Sequence, residues 1–456
     1  MFHSRSLHSF SITALSCACA AVLLTACGGG GSGAQDQQAA SSSIGTPAAT
    51  SDTSSNAIST ADENSTQTPT STGAASPATP TGSEAGASPA ISIPASQPAT
   101  QSTFTAANHL YVAVTGSDSN PGTQASPFKT IAKAASVAKP DTVVHVAAGT
   151  YAGGLSTSAS GTANGRIYYV SDVRWGAKIV PAGNSSVAWS DSGSYTTISG
   201  FDIDGQDGAT WRIGISMHGS NSVVQNNHIH NIYTSGSCDS NGGAGIVADG
   251  YESQHHHEIL ANTVDHVGFS GCGTISGIYP QSAYVQVKNN LVYNIGSDGI
   301  VFYHDATNAD VINNTVFNCS RGIIMSANGM YHLTSVPDYF NVQNNIVFDN
   351  RGTGIGEGSG PMGIGSHNTY YNNLVYGNAG GDLSLSSGSS SRTAGTITAD
   401  PQFVNYVRTG GGDYRLKSTS PAIDKGNTTY APTMDANGVA RPQGGSIDLG
   451  AYEFKS

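Results

Sequence analysis

The chain has 456 residues, with 30 acidic and 18 basic side chains and a formal net charge of −12. This acidic balance argues against a nucleic-acid partner, which requires a basic face, and nothing in the sequence indicates a nucleotide cofactor. Only 11% of the residues are charged and 57 are glycine, a composition that favours short strands joined by many tight turns.

The first 26 residues have the features of a lipoprotein signal peptide. Arg5 supplies a positive start, an apolar run extends from about Ile12 to Leu24, and small residues precede Cys27. The segment Leu24-Thr25-Ala26-Cys27 resembles a bacterial lipobox, in which the cysteine is acylated and becomes the mature N-terminus. The alternative is an ordinary secretory signal that is cut near the same place.

The predicted lipid on Cys27 defines the expected relation to the membrane. The apolar run is shorter than the about 20 residues that a spanning helix needs, so we expect an anchor and not a span. By resemblance to lipoprotein sorting in bacteria with two membranes, Gly28 in the next position implies the outer membrane. The lipoprotein is then exposed at the cell surface or faces the periplasm.

Residues 27–107 are predicted to be a disordered tether. They consist mainly of Ser, Thr, Ala, Pro, Gly and Gln, and contain no Lys or Arg. Such a segment buries too little apolar surface to offset the entropy lost on ordering. We therefore expect residues 108–456 to form the folded domain, which is long enough for one large core.

The folded domain opens with a predicted capping helix. Ser126 is a helix N-cap and Pro127 fits the first helical position. The segment FKTIAKAASVAK that follows is amphipathic and ends before Pro140. We expect this short helix to cover the N-terminal end of the core.

A repeated motif dominates the middle of the chain. Each copy is an apolar residue, an asparagine and then alternating apolar positions, as in VVQNNHIHNI, VQVKNNLVYNI and DVINNTVFNC. The aligned asparagines are Asn227, Asn262, Asn290, Asn314, Asn345 and Asn373. A short Gly-Ile segment opens each unit, and the spacing between units varies. A fixed strand motif with variable spacing is typical of a solenoid whose insertions lie in one turn.

The repeat predicts an all-β fold, a single-stranded right-handed parallel β-helix with the short N-terminal helix as its cap. Inward isoleucines stack from coil to coil, namely Ile246, Ile278, Ile300 and Ile323. The asparagines stack as a structural ladder of amides. A β-sandwich is the alternative, but it predicts no long register of identical polar residues. From about residue 400 the chain is expected to form a C-terminal cap.

Three cysteines remain once the signal peptide and Cys27 are set aside. Cys238 and Cys272 lie in comparable Gly/Ser-rich loops of successive units, so we predict that they form a disulfide. Cys319 is then an unpaired, mostly buried thiol.

Two segments resemble a known group of proteins. YVAVTGSDSNPGTQASPFKTIAKA, from Tyr111 to Ala134, is similar to the N-terminal segment of secreted bacterial β-helix proteins of the pectate-lyase-like superfamily, including the ninth pectate-lyase family. The segment from Ser420 to Phe454 resembles an ending shared by many bacterial surface proteins of this fold. The resemblance implies a surface-anchored protein that acts on a polysaccharide.

Alternation along the strands predicts a row of outward side chains. With the isoleucine of each Gly-Ile pair inward, the third residue after it faces outward, and neighbours in successive coils are about 4.8 Å apart. These positions, which we call the polar row, are His218, Asp249, Gln281, Tyr303 and Ser326. His304 and Asp305 follow where one strand turns, and Tyr279 occupies an outer first position. Loops inserted before Gly245 and Gly277 are expected to wall this groove.

The polar row is a candidate site for a uronate-containing glycan. β-Elimination needs a base, an acid and a cation that offsets the substrate carboxylate. Tyr303 or His304 is the candidate base or acid, His218 the other, and Arg321 the cation. The candidate substrate-binding residues are Asp249, Tyr279, Gln281, Asp305 and Ser326. The alternative is that the polar row is an ordinary solvent-exposed face of the sheet and has no binding or catalytic role.

The sequence departs from the ninth-family pattern. That resemblance implies calcium held by an aspartate cluster and a lysine base. Asp249 and Asp298 match fragments of the cluster, but the paired aspartates between them are missing, and Lys288 falls on a different sheet from the polar row. Neither calcium nor the lysine mechanism is therefore carried over, and no metal site is predicted.

Other functions stay open beside elimination. A glycoside hydrolase needs two carboxylates that converge, and Asp249 and Asp305 are two coils apart, about 10 Å. Glu357 falls in an inward position. The segment His255-His256-His257-Glu258 alternates faces, which disfavours a shared metal. A protein that binds glycans or builds the envelope without catalysis is the alternative from another class.

Overall fold

The computed structural model describes residues 104–238, 242–250, 254–326, 336–358, 363–386 and 392–455. The predicted signal peptide, the lipidated Cys27 and residues 27–103 of the predicted tether lie outside these ranges. No helix among the described residues is long and apolar enough to cross a bilayer.

The described residues form one helix and 29 strands. The N-terminal third contains β1 (Asn108–Val112), α1 (Ile131–Val137), β2 (Thr142–Val146), β3 (Gly149–Ala152), β4 (Leu155–Thr157), β5 (Ile167–Ser171), β6 (Ala177–Val180), β7 (Val187–Asp191), β8 (Thr196–Ser199), β9 (Asp202–Gly208) and β10 (Ile213–Met217). The middle contains β11 (Val223–Gln225), β12 (His228–Ile232), β13 (Gly243–Ala248), β14 (Glu258–Leu260), β15 (Thr263–Val267), β16 (Ile275–Pro280), β17 (Gln286–Lys288), β18 (Leu291–Phe302), β19 (Asp310–Ile312) and β20 (Thr315–Met325). The last part contains β21 (Asn341–Gln343), β22 (Ile346–Phe348), β23 (Ile355–Glu357), β24 (Thr369–Tyr371), β25 (Leu374–Tyr376), β26 (Leu383–Ser384), β27 (Arg392–Ala394), β28 (Phe403–Asn405) and β29 (Asp413–Leu416).

The strands stack coil upon coil as a parallel β-helix. An 11-stranded sheet runs in the order β1-β2-β5-β8-β11-β14-β17-β19-β21-β24-β27. The other two faces of the coil are ladders that share the long strands β18 and β20, so they count as one 16-stranded sheet. We call them the first ladder, which contains β9, β12 and β15, and the second ladder, which contains β10, β13 and β16. Among the strands of the described residues, only β28 and β29 pair antiparallel.

The core is a set of stacked apolar side chains inside the coils. The predicted isoleucine stack is present, because the registers pair Ile215 with Ile246, Ile246 with Ile278, Ile278 with Ile300, and Ile300 with Ile323. Each of these side chains is fully buried. Burying one such side chain stabilises the fold by about 1.5–3 kcal/mol, so repetition of one residue type gives each coil the same driving force.

The asparagines form a continuous ladder at the turn between the 11-stranded sheet and the first ladder. In each link the side-chain amide donates to the Oδ1 of the asparagine one coil onward, at 2.9–3.1 Å. The same Oδ1 accepts the backbone N–H of the preceding asparagine. The six members are Asn227, Asn262, Asn290, Asn314, Asn345 and Asn373. Their amides satisfy buried turn backbone that no strand pairs.

The capping helix is present but begins later than the sequence predicts. Thr130, not Ser126, is the N-cap, and its side chain accepts from the backbone N–H of Lys133. Phe128 forms a parallel bridge with Val112, which extends the pairing of β1 and keeps the chain out of the helix until Thr130. Buried Ile131 and Ala134 join the core at its N-terminal end.

The two remaining covalent and capping features lie in the second half of the chain. Cys238 and Cys272 form a disulfide, and Cys319 is a free, buried thiol. Residues 400–455, which we call the C-terminal segment, pack aromatic and aliphatic side chains on the outside of the first ladder. The segment is held by the Arg441–Glu453 ion pair, 2.7 Å long and almost completely buried.

Candidate functional site

The backbone brings the polar row into register on consecutive coils. Hydrogen bonds run from Asp249 N to Met217 O, from Gln281 N to Ala248 O, from Tyr303 N to Pro280 O and from Ser326 N to Phe302 O. Each row member therefore follows the end of a strand of the second ladder, one per coil. Asp249, Gln281 and Ser326 expose only 13%, 6% and 8% of their surface, respectively. They are therefore more buried than residues on an exposed outer face.

His218 and Asp249 form a hydrogen-bonded pair across two coils. Nδ1 of His218 lies 2.6 Å from Oδ2 of Asp249, and Nε2 lies 3.0 Å from the hydroxyl of Ser216. The His218 side chain keeps 39% of its surface exposed. A carboxylate on one ring nitrogen orients the imidazole and stabilises its charged form.

Tyr279 and His304 form a second pair. The Tyr279 hydroxyl lies 3.1 Å from Nε2 of His304, and the Tyr303 ring packs edge-on against the imidazole at 4.9 Å between centroids. His304 has a φ of 55°, in the left-handed region, so the turn swings its ring back toward Tyr279. Asp305 lies in the same turn and is buried. Gln281 Oε1, in the same coil as Tyr279, is buried without a hydrogen-bond partner among the described residues.

The structure does not bring Arg321 to the polar row. Arg321 pairs in register with Asp298 where β20 passes from the first ladder into the second, whereas Ser326 lies five residues later, about 16 Å along an extended chain. The guanidinium donates twice to the Asp298 carboxylate, at 2.7 Å each. The loops before Gly245 and Gly277 also lie at this opposite end of the strands, so they do not wall the row.

The sequence interpretation missed His257. This side chain is fully buried, and its ring faces the backbone of Asp249. Burial lowers the pKa of His257 to about 4, which the Asp249 carboxylate opposes and His255 and His218 reinforce. Alternation alone would put His255 and His257 on the same face, but the left-handed backbone of His256 interrupts it, so the first two rings are exposed and only the third is buried.

A neutral His257 predicts a loss of stability in acid. The pKa of His257 in the folded state, about 4, lies below the unfolded value of about 6.5. The stabilisation from neutral His257 is therefore fully present above about pH 6.5 and is lost as pH falls toward about 4. The shift corresponds to roughly 3 kcal/mol. We expect His257→Leu, which cannot titrate, to weaken this pH dependence in urea unfolding at about pH 7 and about pH 4.5. Exposed His256→Gln is the control, and equal pH dependence in His257→Leu and wild type would contradict the assignment.

A groove lined with aromatic rings runs along the 11-stranded sheet. Its volume is about 620 Å³. The Tyr284 ring stacks on His256 at 4.6 Å, and the Tyr339 ring stacks on His367 at 4.4 Å. Tyr284 and Tyr339 expose 48% and 53% of their surface, and Tyr430 of the C-terminal segment closes one side. We call this the aromatic groove.

The aromatic groove contains unusual backbone. His256, Tyr284 and Tyr339 have φ values of 61°, 60° and 58°, at equivalent turns of successive coils. Bulky side chains rarely adopt this conformation, whereas the asparagine Asn308 in the same series tolerates it. Strained residues of this kind cluster at binding sites. Gln286, Asp310, Asn341 and Thr369 supply polar groups on the groove floor.

The remaining candidates from the sequence are accounted for by local contacts. Lys288 forms an ion pair with Asp310, at 3.1 Å, on the 11-stranded sheet and not with the polar row. Glu357 accepts from the hydroxyl of buried Tyr370 at 2.9 Å, which compensates its inward position. Asp249 and Asp305 follow strands two coils apart, about 10 Å by the stacking distance.

A second polar cluster, on the first ladder, was not predicted. It combines His228 and His230 of β12 with Asp202 of β9 and Asp265 of β15. The signal is the segment HIH, because two residues that are two apart on a strand share one face. The same segment, VVQNNHIHNI, also contains the ladder residue Asn227.

Comparisons with known proteins agree with this architecture. Residues 114–157 match a family described as a protein of unknown function (DUF1565), and residues 191–397 match the right handed beta helix region. No curated protein matches the sequence closely enough to count as a relative. The crystal structure of the pectate lyase Pel9A superposes with a TM-score of 0.51 at 16% identity, over 77% of this chain and 98% of that chain.

Two other solved structures superpose on this chain with lower TM-scores. A rhamnogalacturonan lyase has a TM-score of 0.46 at 17% identity, over 68% of this chain and 97% of its own. A glycoside hydrolase has a TM-score of 0.45 at 9% identity, over 64% and 96%. The chain is therefore a right-handed parallel β-helix protein with a pectate-lyase-like fold.

Proposed function

We propose that the protein binds a uronate-containing polysaccharide in the aromatic groove and cleaves it by β-elimination at the polar row. The observation that supports the proposal is proximity along the chain: Tyr279 and His304, which form a hydrogen-bonded pair, precede the groove residues Tyr284 and Asn308 by five and four residues. Tyr284 follows Gln281 by three residues, at most about 10 Å of chain. A glycan in the groove therefore reaches the pair. The fold relatives, a pectate lyase and a rhamnogalacturonan lyase by name, are consistent with such a substrate.

The Tyr279–His304 pair supplies both proton transfers. Nε2 of His304 takes the proton from the carbon next to the substrate carboxylate, and that electron pair forms the new carbon–carbon double bond. The bond to the leaving oxygen breaks, and this oxygen takes the proton of the Tyr279 hydroxyl. The 3.1 Å hydrogen bond then returns the proton from Nε2 to the phenolate, so the pair regains its starting state.

His218 takes the electrostatic role that the sequence assigns to Arg321. The Asp249 carboxylate, 2.6 Å away, would pair with the imidazolium form of His218. A positive ring at this position offsets the negative charge that develops on the uronate during proton removal. Arg321 is too far along the strand to do so.

The direct test incubates the purified protein with a panel of uronate polymers and follows the absorbance of unsaturated uronate. We expect this absorbance to rise for at least one polymer. Release of reducing ends without it would replace elimination by hydrolysis, with Asp249 and Asp305 as the carboxylates. If the protein binds a glycan but releases neither unsaturated uronate nor new reducing ends, its function is glycan binding without cleavage.

Glycan binding without catalysis is the second candidate, and the exposed aromatic rings favour it. We expect Tyr339→Asn to weaken glycan binding about five- to tenfold, since an aromatic contact contributes about 1 kcal/mol. Asparagine tolerates the left-handed backbone, so the free energy of unfolding should stay within about 1 kcal/mol of wild type. Affinity electrophoresis and urea unfolding measure the two quantities.

Tyr376→Asn provides the matched control, because Tyr376 is also exposed but lies on the first ladder, away from the groove. Equal glycan binding by Tyr339→Asn and wild type would exclude the aromatic groove as the binding surface. The proposal also includes the lipid on Cys27 and the tether 27–107, which together would hold this groove at the outer membrane.

A further inference from the structure

Two histidines and one aspartate converge on the outside of the first ladder, away from the polar row. His228 and His230 project from β12 to the same face, and the register sets Asp202 of β9 opposite His228. Nε2 of His230 lies 2.7 Å, and Nδ1 of His228 lies 3.6 Å, from Oδ1 of Asp202. One ligand atom from each residue lies within 4.8 Å of the others.

We propose that Asp202, His228 and His230 bind a divalent transition-metal ion of the zinc class. Two imidazoles and a carboxylate are ligand types that zinc accepts, and three protein ligands leave a position for a further ligand. Calcium requires oxygen ligands, so the histidines select against it. This site differs in ligands and in place from the aspartate–calcium pattern that the family resemblance implies.

The groups behind the three ligands have the arrangement that supports a metal. The second nitrogen of His228, Nε2, lies 2.8 Å from Asp265, and the second nitrogen of His230, Nδ1, lies 3.9 Å from Asp204. Carboxylates behind ligating histidines fix the ring orientation and raise ligand basicity. The other oxygen of Asp202, Oδ2, is held by Lys178 at 3.0 Å, which leaves Oδ1 for the ion.

The charge of the cluster also calls for a cation. Asp202, Asp204 and Asp265 contribute three negative charges, and Lys178 contributes one positive charge. The carboxylates outnumber the lysine by two, so the cluster favours the binding of a cation. The side chains of the three ligands keep 11–14% of their surface exposed, so an ion can enter from solvent.

The test measures metal binding by the full-length protein in detergent after treatment with EDTA. We expect one equivalent of Zn²⁺ by calorimetry, one equivalent of Co²⁺ with a visible absorption band, and no comparable Ca²⁺ binding at this site. His230→Gln and Asp202→Asn should weaken Zn²⁺ binding by more than about 100-fold, and Asp265→Asn by about 10- to 100-fold. Binding should also weaken as pH falls, because metal and protons compete for the imidazoles.

Two controls separate this site from other histidines. His266→Gln removes a ring that contacts Asp265 but not the ion, and His256→Gln removes an exposed ring of the triple histidine. Both variants should bind Zn²⁺ within about threefold of wild type. Absence of Zn²⁺ and Co²⁺ binding by wild type, or unchanged binding in both His230→Gln and His228→Gln, overturns the proposal. Circular dichroism of the metal-free variants confirms that each is folded.

Discussion

Replacing Asn290 with alanine is expected to lower the free energy of unfolding by about 3–5 kcal/mol. Asn290 is fully buried, and its Oδ1 accepts both the backbone and the side-chain N–H of Asn262. Its own amide donates to Ile259 O at 2.8 Å and to Asn314 Oδ1 at 3.0 Å. Alanine leaves these donors and acceptors buried and unpaired, at about 1–3 kcal/mol for each such group. Urea unfolding, followed by circular dichroism, measures the change.

The matched control for the ladder is Asn405→Ala, since Asn405 is exposed on β28. Its unfolding free energy should change by less than about 0.5 kcal/mol. Similar stability of Asn290→Ala and Asn405→Ala would show that the ladder contributes little and that packing of the isoleucine stack alone holds adjacent coils together.

Removing the Tyr279 hydroxyl is expected to have the largest effect on activity. Tyr279→Phe keeps the ring but removes the proton donor that lies 3.1 Å from His304. If the pair performs acid–base catalysis, kcat/KM on the responsive uronate polymer should fall by about 10²- to 10⁴-fold. The kcat/KM of His304→Ala should fall by a similar factor. The kcat/KM of the double variant should be little lower than that of either single variant, because the two groups act as one unit.

Glycan affinity distinguishes loss of chemistry from loss of binding. Both variants should bind the polymer within about threefold of wild type while turnover collapses. Tyr376→Phe, on another face, controls for the loss of a tyrosine hydroxyl. Unchanged turnover in Tyr279→Phe would remove this pair from the mechanism and leave His218 and Asp249 as the reacting groups to examine.

The fold follows from the sequence because one physical pattern repeats. Period-two alternation and a recurring asparagine specify the register of the six coils that carry the motif, so the isoleucine stack and the amide ladder are predictable from it. Ser126 shows the limit: it is a good N-cap by residue type, but the backbone pairing of Phe128 with β1 takes precedence over the local preference for a helix.

The site is predictable only in part, because register places backbones and not side chains. Alternation sets His218 and Asp249 on neighbouring coils, and their pairing follows. The Tyr279–His304 contact depends on a left-handed turn at His304 that the sequence does not specify. The repeat assigns Arg321 to the correct coil, but its position along the strand, five residues before Ser326, separates it from the polar row. The HIH segment carries a clear same-face signal, but the neighbouring asparagine motif obscures it.

The C-terminal segment changes how the whole solenoid holds together. Asn427 exchanges hydrogen bonds with Asn344, Lys288 donates to Tyr430 O, and Arg441 contacts Asn289, so one short stretch bridges coils formed more than 80 residues earlier. A stack of coils with only neighbour contacts can fray from either end. Here, opening the coils that carry Lys288, Asn289 and Asn344 also requires their contacts with residues 427–441 to break. During synthesis, these contacts form only after residues 427–441 have emerged from the ribosome, later than the coils that they bridge.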